Sequence, residues 1–350
     1  MLKLILIFFL GVLSLYPQNT LNFRKIVLQD YLYKPYDEEG YFQGWNYLFF
    51  NNEFHIFITS LISNMGPGDK NHGIALSIKS KKTGEIFVTK EFSVRSLQAS
   101  RINYNIKNDV NSFEYDGNYE LRVYADDIKI NLVYKNVKPG FTLSGERYFI
   151  EKGKFVRADV PFYYSEAEGY IDFKGDVMYL KGRGGMEHLL TNYEVYKYST
   201  RWEILRAFSK DGYTLYLGGF HGKTKKPDDY FKTFVLLDKK NTIIYSGQIS
   251  KEETLQQQKD KFSGYTLPSV QKIFLNSDGS CSLQIESGES LGKINVLSSI
   301  SAILRFFVNL FFANPYILAF SSNITMNCPG ILPNIVEFEG IHNQYLINPK

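Results

Sequence analysis

The sequence is poor in the residues that build the commonest metal and cofactor sites. Among its 350 residues are two cysteines, two tryptophans and five histidines. No Cys-x-x-Cys or His-x-x-x-His pair occurs, so the short ligand spacings of zinc sites are missing. A Walker-type phosphate loop and a dinucleotide-binding fingerprint are also missing. We therefore expect no metal and no cofactor.

Blocks of like charge are missing as well. The net charge is +4, and charged residues make up 22% of the chain with both signs interspersed. The longest basic runs, Lys79 to Lys82 and Lys223 to Lys226, are short and lie at predicted turns. Such runs are typical of solvated loops. The sequence thus predicts no surface that follows the phosphates of a nucleic acid.

The chain has one strongly apolar run near its start, and that run is too short to span a bilayer comfortably. Lys3 precedes the apolar residues Leu4 to Leu15, and a polar stretch from Tyr16 to Thr20 follows. This order predicts a signal peptide at residues 1–18 and export to the periplasm, the cell surface or the extracellular space. The exit holds no clean Ala-x-Ala site, so an uncleaved N-terminal anchor stays an alternative.

Both cysteines, Cys281 and Cys328, lie in the second half of the chain. An oxidising compartment would allow them to form one disulfide bond. Two separate buried thiols are the alternative, because a sequence does not show how far apart two Cα atoms lie.

Aromatic residues are abundant, with 26 tyrosines and 28 phenylalanines. Aromatic and β-branched side chains favour strands. Short alternating segments recur throughout, such as Tyr119 to Tyr124 with its return strand from Ile128 to Tyr134, and turns rich in Asp, Asn and Gly separate them. This pattern predicts an all-β chain of antiparallel barrels or sandwiches.

A repeat of domain length divides the chain. Trp45 and Trp202 each open a strand-like run, and His188 and His342 each close a similar glycine-acid-histidine segment. The two spacings are 188 − 45 = 143 and 342 − 202 = 140 residues. Repeats of this length indicate a duplicated domain, since solenoid repeats span only about 20–50 residues. We predict two tandem β-barrels, at residues 19–198 and 199–350.

One segment departs from the strand pattern. Val296 to Phe312 is rich in aliphatic and aromatic residues, and Pro315 lies where a helix must end. We predict a hydrophobic helical insertion in the second barrel. It packs against the barrel in one interpretation. In the other it forms a lid or an interfacial helix that touches a membrane surface.

The candidate catalytic residues follow a glycine-rich stretch. Glu187 and His188 are adjacent, so on a regular strand they point to opposite faces and only one enters the barrel. A buried carboxyl or imidazole in an apolar cavity could act as a general acid, with Asp172 as a partner. The alternative is a polar contact at the barrel end. For ligand binding we select four aromatic residues and one histidine: Trp45, Tyr47, Trp202, Tyr193 and His342.

These motifs together resemble the lipocalin-like superfamily of carotenoid 1,2-hydratases and AttH-type proteins, to which tocopherol cyclases and the fungal survival factor are related. The resemblance spans nearly the whole mature chain, and it implies two calycin-type barrels that accept long apolar molecules such as isoprenoids or sphingolipids. The acidic residue and histidine that members often carry after the glycines match Glu187 and His188, whereas Met186 replaces a common aromatic. The matching segments are Gly44-Trp45, Gly184 to His188, Trp202 with Asp211-Gly212, Gly264 to Pro268, and Glu337 to His342.

Three functions remain open at this stage. The first is an exported carrier whose barrel cavity holds a hydrophobic lipid or isoprenoid. The second is an isoprenoid hydratase or cyclase that uses Glu187 or His188 as its acid. The third is a surface protein that contacts another protein and whose barrels are filled by their own side chains.

Overall fold

The computed structural model describes residues 21–64, 70–145, 147–224, 229–295 and 315–347. The predicted signal peptide at 1–18 and the predicted hydrophobic insertion Val296–Phe312 lie outside these residues. Among the described residues, no helix is long and apolar enough to cross a membrane.

The chain forms two curled antiparallel sheets with very little helix, which confirms the predicted all-β class and its two lipocalin-like barrels. We call the sheets the first and the second barrel. Three short helical turns lie outside the strands: α1 at Leu28–Tyr31, a 3₁₀ turn at Val94–Ser96 and α2 at Val195–Tyr198. α2 lies in the connection between the barrels, where the boundary at residue 198 is predicted.

The first barrel has twelve strands in the order β4-β3-β2-β1-β12-β11-β9-β8-β7-β6-β5, with β10 paired to β11. Its strands are β1 Tyr41–Phe50, β2 Phe54–Asn64, β3 Asn71–Ser80, β4 Gly84–Ser93, β5 Gln98–Ala99, β6 Asn105–Lys107, β7 Ser112–Asp116, β8 Asn118–Ala125, β9 Ile128–Thr142, β10 Tyr148–Glu151, β11 Lys154–Phe173 and β12 Asp176–Asn192.

The second barrel has nine strands in the order β16-β15-β14-β13-β21-β20-β19-β18-β17. Its strands are β13 Arg201–Ser209, β14 Thr214–His221, β15 Tyr230–Leu237, β16 Ile243–Gln248, β17 Lys251–Lys259, β18 Thr266–Phe274, β19 Ser282–Asn295, β20 Tyr316–Asn327 and β21 Val336–Leu346. In both barrels the first strand pairs with the last, as β1 with β12 and β13 with β21. This shared closure is what a duplicated domain predicts.

The first barrel is filled by its own aromatic rings. Successive side chains of a strand point to opposite faces, so the odd-numbered residues of β1 and the even-numbered residues of β12 face inward together. Trp45 opposes His188, and Tyr47 opposes Met186. The interior holds seven large side chains that are less than 2% exposed: Trp45, Tyr47, Phe49, Tyr104, Phe113, Tyr134 and Phe162.

The interior of the second barrel holds a cluster of buried apolar side chains that we call the apolar floor. Leu205 on β13, Leu217 on β14 and Phe338 on β21 are nearly inaccessible and belong to one apolar cluster. Cys281 and Cys328 lie in this floor and form a disulfide bond. The disulfide therefore joins two segments of the second barrel at the end where its apolar core lies.

The outer faces of the two barrels pack against each other along a surface that we call the seam. Phe141 of the first barrel packs against Tyr216 of the second, with ring centroids 5.3 Å apart. Tyr148 stacks on Phe231 at 3.6 Å. The hydroxyl of Thr233 also donates to a main-chain oxygen of the first barrel. The barrels thus share a buried apolar surface besides their covalent connection.

Candidate functional site

The paired histidines occupy matching places in the two barrels. His188 on β12 opposes Trp45 on β1, and His342 on β21 opposes Leu205 on β13. Each histidine contacts the inward side chain two residues before its partner. The Nε2 atom of His188 lies 2.8 Å from Gln43, and that of His342 lies 3.1 Å from Glu203. Gln43 and Glu203 are therefore counterparts, and the duplication extends to the polar pair.

The tryptophans do not match in the same way, because the counterpart of Trp45 is Leu205. Trp202 precedes Leu205 by three residues and therefore lies on the outer face of β13. There it packs against Tyr198 and Phe220. Tyr193 stacks on Tyr198 in the same cluster. Trp202 and Tyr193 thus support the contact between the barrels, whereas Trp45, Tyr47 and His342 face barrel interiors.

His188 has both ring nitrogens engaged by the protein. The side-chain oxygen of Gln43 accepts from the amide of Lys34, at 2.9 Å, so the Gln43 nitrogen must be the donor toward His188 Nε2. His188 therefore carries its proton on Nδ1 and donates to Asp159 at 3.1 Å. Burial lowers the pKa of His188, and the Asp159 hydrogen bond opposes this only in part. The neutral ring has no nitrogen left for a ligand.

Residues 24–34, which we call the N-terminal cap, supply further hydrogen-bond partners for the side chains around His188. Gln43 donates to the main-chain oxygen of Leu32 at 2.9 Å, and Trp45 Nε1 donates to that of Tyr31 at 2.7 Å. The Tyr31 hydroxyl lies 2.5 Å from that of Tyr119. Tyr47 bonds to Tyr104 in the same way. The polar groups near His188 are thus largely satisfied inside the protein.

Asp30 anchors the cap through charge. Arg24 donates to both of its oxygens, at 2.7 and 2.8 Å, and Arg157 lies 2.7 Å away. The amide of Val27 donates as well, at 2.8 Å. Burial raises the pKa of the Asp30 carboxyl, but these hydrogen bonds outweigh it and hold the pKa well below its usual range. The contribution of Asp30 to stability is therefore present above the unfolded pKa and is lost as the pH falls toward the folded one.

We expect Asp30→Asn to lower the melting temperature most above about pH 5, with the gap to the wild type narrowing below about pH 4, where an unfolded aspartate titrates. Melting curves at a series of pH values measure this gap. Asp176→Asn is the control, because Asp176 pairs with Lys82 and its side chain is 60% exposed. A gap that does not change with pH would show that Asp30 adds no charge-dependent stability.

Glu187, next to His188, faces the seam. Its two carboxylate oxygens bind Nε and Nη2 of Arg206 from the second barrel, with Nη2 at 2.5 Å. Arg206 also donates to Asn343 at 3.0 Å. Both partners of the ion pair are about 5% exposed. Because Arg206 of the second barrel binds both carboxylate oxygens, Glu187 links the two barrels.

Asp172 lies far from both residues. It pairs in register with Val177 near the β11–β12 turn, whereas Asp159 pairs with His188. The two aspartates are 172 − 159 = 13 residues apart along β11, roughly 40 Å at the rise of a strand. Asp172 accepts from the amide of Gly175 at 2.8 Å. The structure therefore does not bring the three predicted catalytic residues together.

In the second barrel the position of Gln43 is taken by a charged residue. Glu203 contacts the ammonium group of Lys232, which also contacts Glu252 on β17. Burial raises the pKa of Glu203, but Lys232 and the hydrogen bond with His342 outweigh it and hold the pKa well below its usual range. Glu203 is thus an ionised carboxylate inside the barrel.

Glu203, His221 and Glu252 offer ligand atoms that all lie within 4.8 Å of one another. Two protein cations occupy this group. Lys232 contacts both carboxylates, and Arg201 donates to Nε2 of His221 at 2.6 Å. Burial, Lys232 and Arg201 lower the pKa of His221 to about 2. A metal ion would have to displace both cations, so we assign none.

His342 differs from His188 in having a nitrogen that no other group engages. Glu203 only accepts hydrogen bonds, so Nε2 of His342 must carry the proton that it donates at 3.1 Å. Nδ1 then holds a lone pair in the neutral ring. It is buried and has no hydrogen-bond partner among the residues that the structure describes. A carboxylate that orients an imidazole whose other nitrogen is free is the arrangement of a general base.

Three further side chains on the inner face have no hydrogen-bond partner within the described ranges. Gln271 on β18 shares its face with Ile273, and Gln344 on β21 shares its face with His342. Neither amide atom of either glutamine has a partner, and neither does the hydroxyl of Ser322. With His342 Nδ1 these are six buried atoms, at a cost of about 1–3 kcal/mol each. Folded proteins are stable by only about 5–15 kcal/mol, so we expect ordered water or a ligand to satisfy most of these groups.

We call the inward polar residues of the second barrel the polar layer: Glu203, Lys232, Glu252, Gln271, Ser322, His342 and Gln344. Sequence reasoning selected only His342 from this set. Strand alternation could have identified Glu203, because it lies on the same inward face of β13 as Leu205 and Ala207. Within the described residues, β16 and β17 are the two edge strands of this sheet and form no ladder with each other.

Two other features do not form a site. Residues 288–292 have the spacing Gly-x-Ser-x-Gly, but they lie within β19 at a bulge and not at a turn from strand to helix. A cleft at the seam between β1–β3 and β19–β21 measures about 40 Å³. Sites for small organic molecules are typically about 300–1,000 Å³. This cleft is therefore too small to hold such a molecule.

The fold and this layer define a two-barrel lipocalin-like protein with a buried polar site in its second barrel. No protein-family model and no curated protein matches the sequence. Solved structures do match. An AttH-type protein of Nitrosomonas europaea aligns with a TM-score of 0.62 at 14% identity, covering 92% of this chain and 97% of that one.

Two further structures align over most of their length. CghA aligns with a TM-score of 0.62 at 10% identity, covering 94% of this chain and 99% of its own. Kievitone hydratase of Nectria haematococca aligns with a TM-score of 0.55 at 9% identity, covering 92% and 93%. At such identities the likeness establishes the fold alone. It agrees with the lipocalin-like superfamily that the motifs resemble.

Proposed function

We propose that the chain is an enzyme that moves a proton to or from a largely apolar small molecule, in a hydration or cyclisation, inside the second barrel. The observation that carries this proposal is His342, whose Nε2 is held by ionised Glu203 and whose Nδ1 is buried without a partner. Positioned proton transfer of this kind contributes about 10²–10⁴-fold to a rate.

The roles follow from the contacts. His342 is the catalytic residue, which takes a proton at Nδ1 or returns it from the imidazolium. Glu203 is a positioning residue, because it fixes the tautomer and stabilises the imidazolium. Lys232 keeps Glu203 ionised. In this proposal the apolar side chains of the floor contact the hydrocarbon part of the substrate.

The solved neighbours support this class of chemistry. One is a hydratase by name, and CghA has also been solved with Sch210972, at a TM-score of 0.59 and 11% identity. A pure carrier is the second candidate. The first barrel argues against it as the place of storage, since its own rings fill the interior. In our proposal the first barrel is a scaffold that supports the second through the seam.

Export stays part of the proposal. The disulfide between Cys281 and Cys328 supports it, because such bonds persist mainly in oxidising compartments. Contact with a membrane surface through Val296–Phe312 would bring an apolar substrate to the barrel, but that segment lies outside the described residues.

The test is turnover of unsaturated isoprenoids and related polyenes in D₂O. Hydration or cyclisation by proton transfer would add deuterium from the solvent, which mass spectrometry detects as a mass increase. Extraction of the purified protein shows in parallel whether a ligand accompanies it. Stoichiometric binding with no deuterium uptake for any compound that binds would favour a carrier and reject the enzyme.

A further inference from the structure

We propose that Gln271, Gln344 and Ser322 form a subsite for the neutral oxygen groups of the ligand, such as a hydroxyl or a carbonyl. This inference rests on the proposed function for its location and extends it to the class of substrate: an apolar molecule with an uncharged polar end.

The strand register places the three side chains on one interior surface. Ser322 on β20 lies on the same face as Ile324, which opposes Ile285 on β19. Ile285 in turn opposes Gln271 on β18. Gln344 lies on the same face of β21 as His342. The three side chains are at most 3% exposed. They therefore line the interior around the apolar floor and the catalytic imidazole.

The charges of the polar layer are balanced without a ligand. Glu203 and Glu252 carry two negative charges, and Lys232 with neighbouring Arg201 carries two positive ones. His221 beside them is uncharged near neutral pH. A carboxylate, phosphate or ammonium group would add an unpaired charge to a buried site, which is strongly unfavourable.

The unpartnered groups have the chemistry of a neutral ligand. Each glutamine amide offers donors and an acceptor, and the Ser322 hydroxyl offers both. A ligand hydroxyl or carbonyl can bind such groups without bringing a charge. Sites built to hydrogen-bond a substrate hydroxyl reject analogues that lack it, because the buried partners are then left unpaired.

The first test measures the protein without ligand. Buried amides that serve a ligand do not stabilise the free fold, so leucine in their place should stabilise it. We expect Gln271→Leu/Gln344→Leu to raise the melting temperature by about 2–4 °C. Gln257→Leu, at an exposed glutamine of β17, is the matched control and should leave it unchanged. A lower melting temperature in the double variant would show that the amides hold the fold and would overturn the proposal.

The second test uses four compounds with one hydrocarbon chain: farnesol, farnesylacetone, farnesoic acid and farnesylamine. Isothermal titration calorimetry at pH 7 measures their binding to the full chain. We expect the alcohol and the ketone to bind at least about tenfold more tightly than the acid or the amine, and Gln271→Leu/Gln344→Leu to remove this preference. Equal binding of the acid or amine, an unchanged preference in the variant, or no binding of any compound would each overturn the assignment.

These tests separate the subsite from the catalytic proposal. Binding and melting are read without turnover, so a protein that prefers the alcohol and yet takes up no deuterium keeps the subsite and loses the enzyme. A protein that turns over a charged substrate with His342 keeps the enzyme and loses the subsite.

Discussion

Replacing His342 with glutamine is expected to lower kcat by about 10²–10⁴-fold on the substrate found by deuterium uptake, with a much smaller effect on KM. Glutamine keeps a polar side chain of similar reach that can still bond to Glu203, but it cannot carry the proton. An interaction needed only in the transition state affects kcat and kcat/KM alike. Single-turnover and steady-state rates measure both quantities.

The duplication provides a matched comparison. His188 has the corresponding place in the first barrel, but Gln43 and Asp159 engage both of its nitrogens. We expect His188→Gln to lower the melting temperature and not the rate of the chemical step. Long-range nitrogen–proton spectra should show opposite tautomers, with the proton on Nδ1 of His188 and on Nε2 of His342.

The outcome that contradicts this assignment is equally specific. If His188→Gln abolishes turnover in a folded protein while His342→Gln keeps the wild-type rate, the reaction takes place in the first barrel. Circular dichroism and melting curves of both variants show whether the fold is kept, so that a loss of rate is not confused with unfolding.

The sequence predicts the class of fold well, because alternation is a local property. When apolar residues recur at every second position of short segments and turns separate these segments, we expect antiparallel strands, whichever of them pair. The histidines His188 and His342 hold matching register positions in the two barrels, as the repeat predicts. The tryptophans are misleading landmarks. Trp45 and Trp202 match in residue type, but it is Leu205 that opposes the histidine of the second barrel, as Trp45 opposes that of the first. Residue type alone does not reveal a shift of three positions, which reverses the face of a strand.

The site is less predictable, since it depends on contacts between distant strands. Glu203 and His342 are 139 residues apart in sequence, and Lys232 reaches Glu203 from a third strand. Nothing in the sequence around Glu203 distinguishes it from the other glutamates of the chain. The free nitrogen of His342 and the unpartnered amides are absences of contact, which only the folded chain defines. Strand alternation predicts that Glu187 and His188 point to opposite faces. It does not reveal that Glu187 binds Arg206 of the second barrel across the seam.

The largest effect on stability is expected at the Glu187–Arg206 pair. Arg206→Met should destabilise the protein by about 3–5 kcal/mol, because it leaves the Glu187 carboxylate buried without a partner. Burial alone would lower the pKa of Arg206, but Glu187 outweighs it and raises the pKa, so Arg206 stays charged at any ordinary pH. Urea unfolding followed by near-ultraviolet circular dichroism measures the loss.

The double variant Glu187→Met/Arg206→Met decides what the pair does. Replacing both buried charges by apolar side chains removes the unpaired group, so most of the lost stability should return. Lys135→Met is the control, because its pair with Glu168 is about half exposed and is expected to contribute little to stability. If the double variant is no more stable than Arg206→Met, the arginine acts through Asn343 and packing, and not through Glu187. If it recovers, the pair is a buried electrostatic link between the barrels.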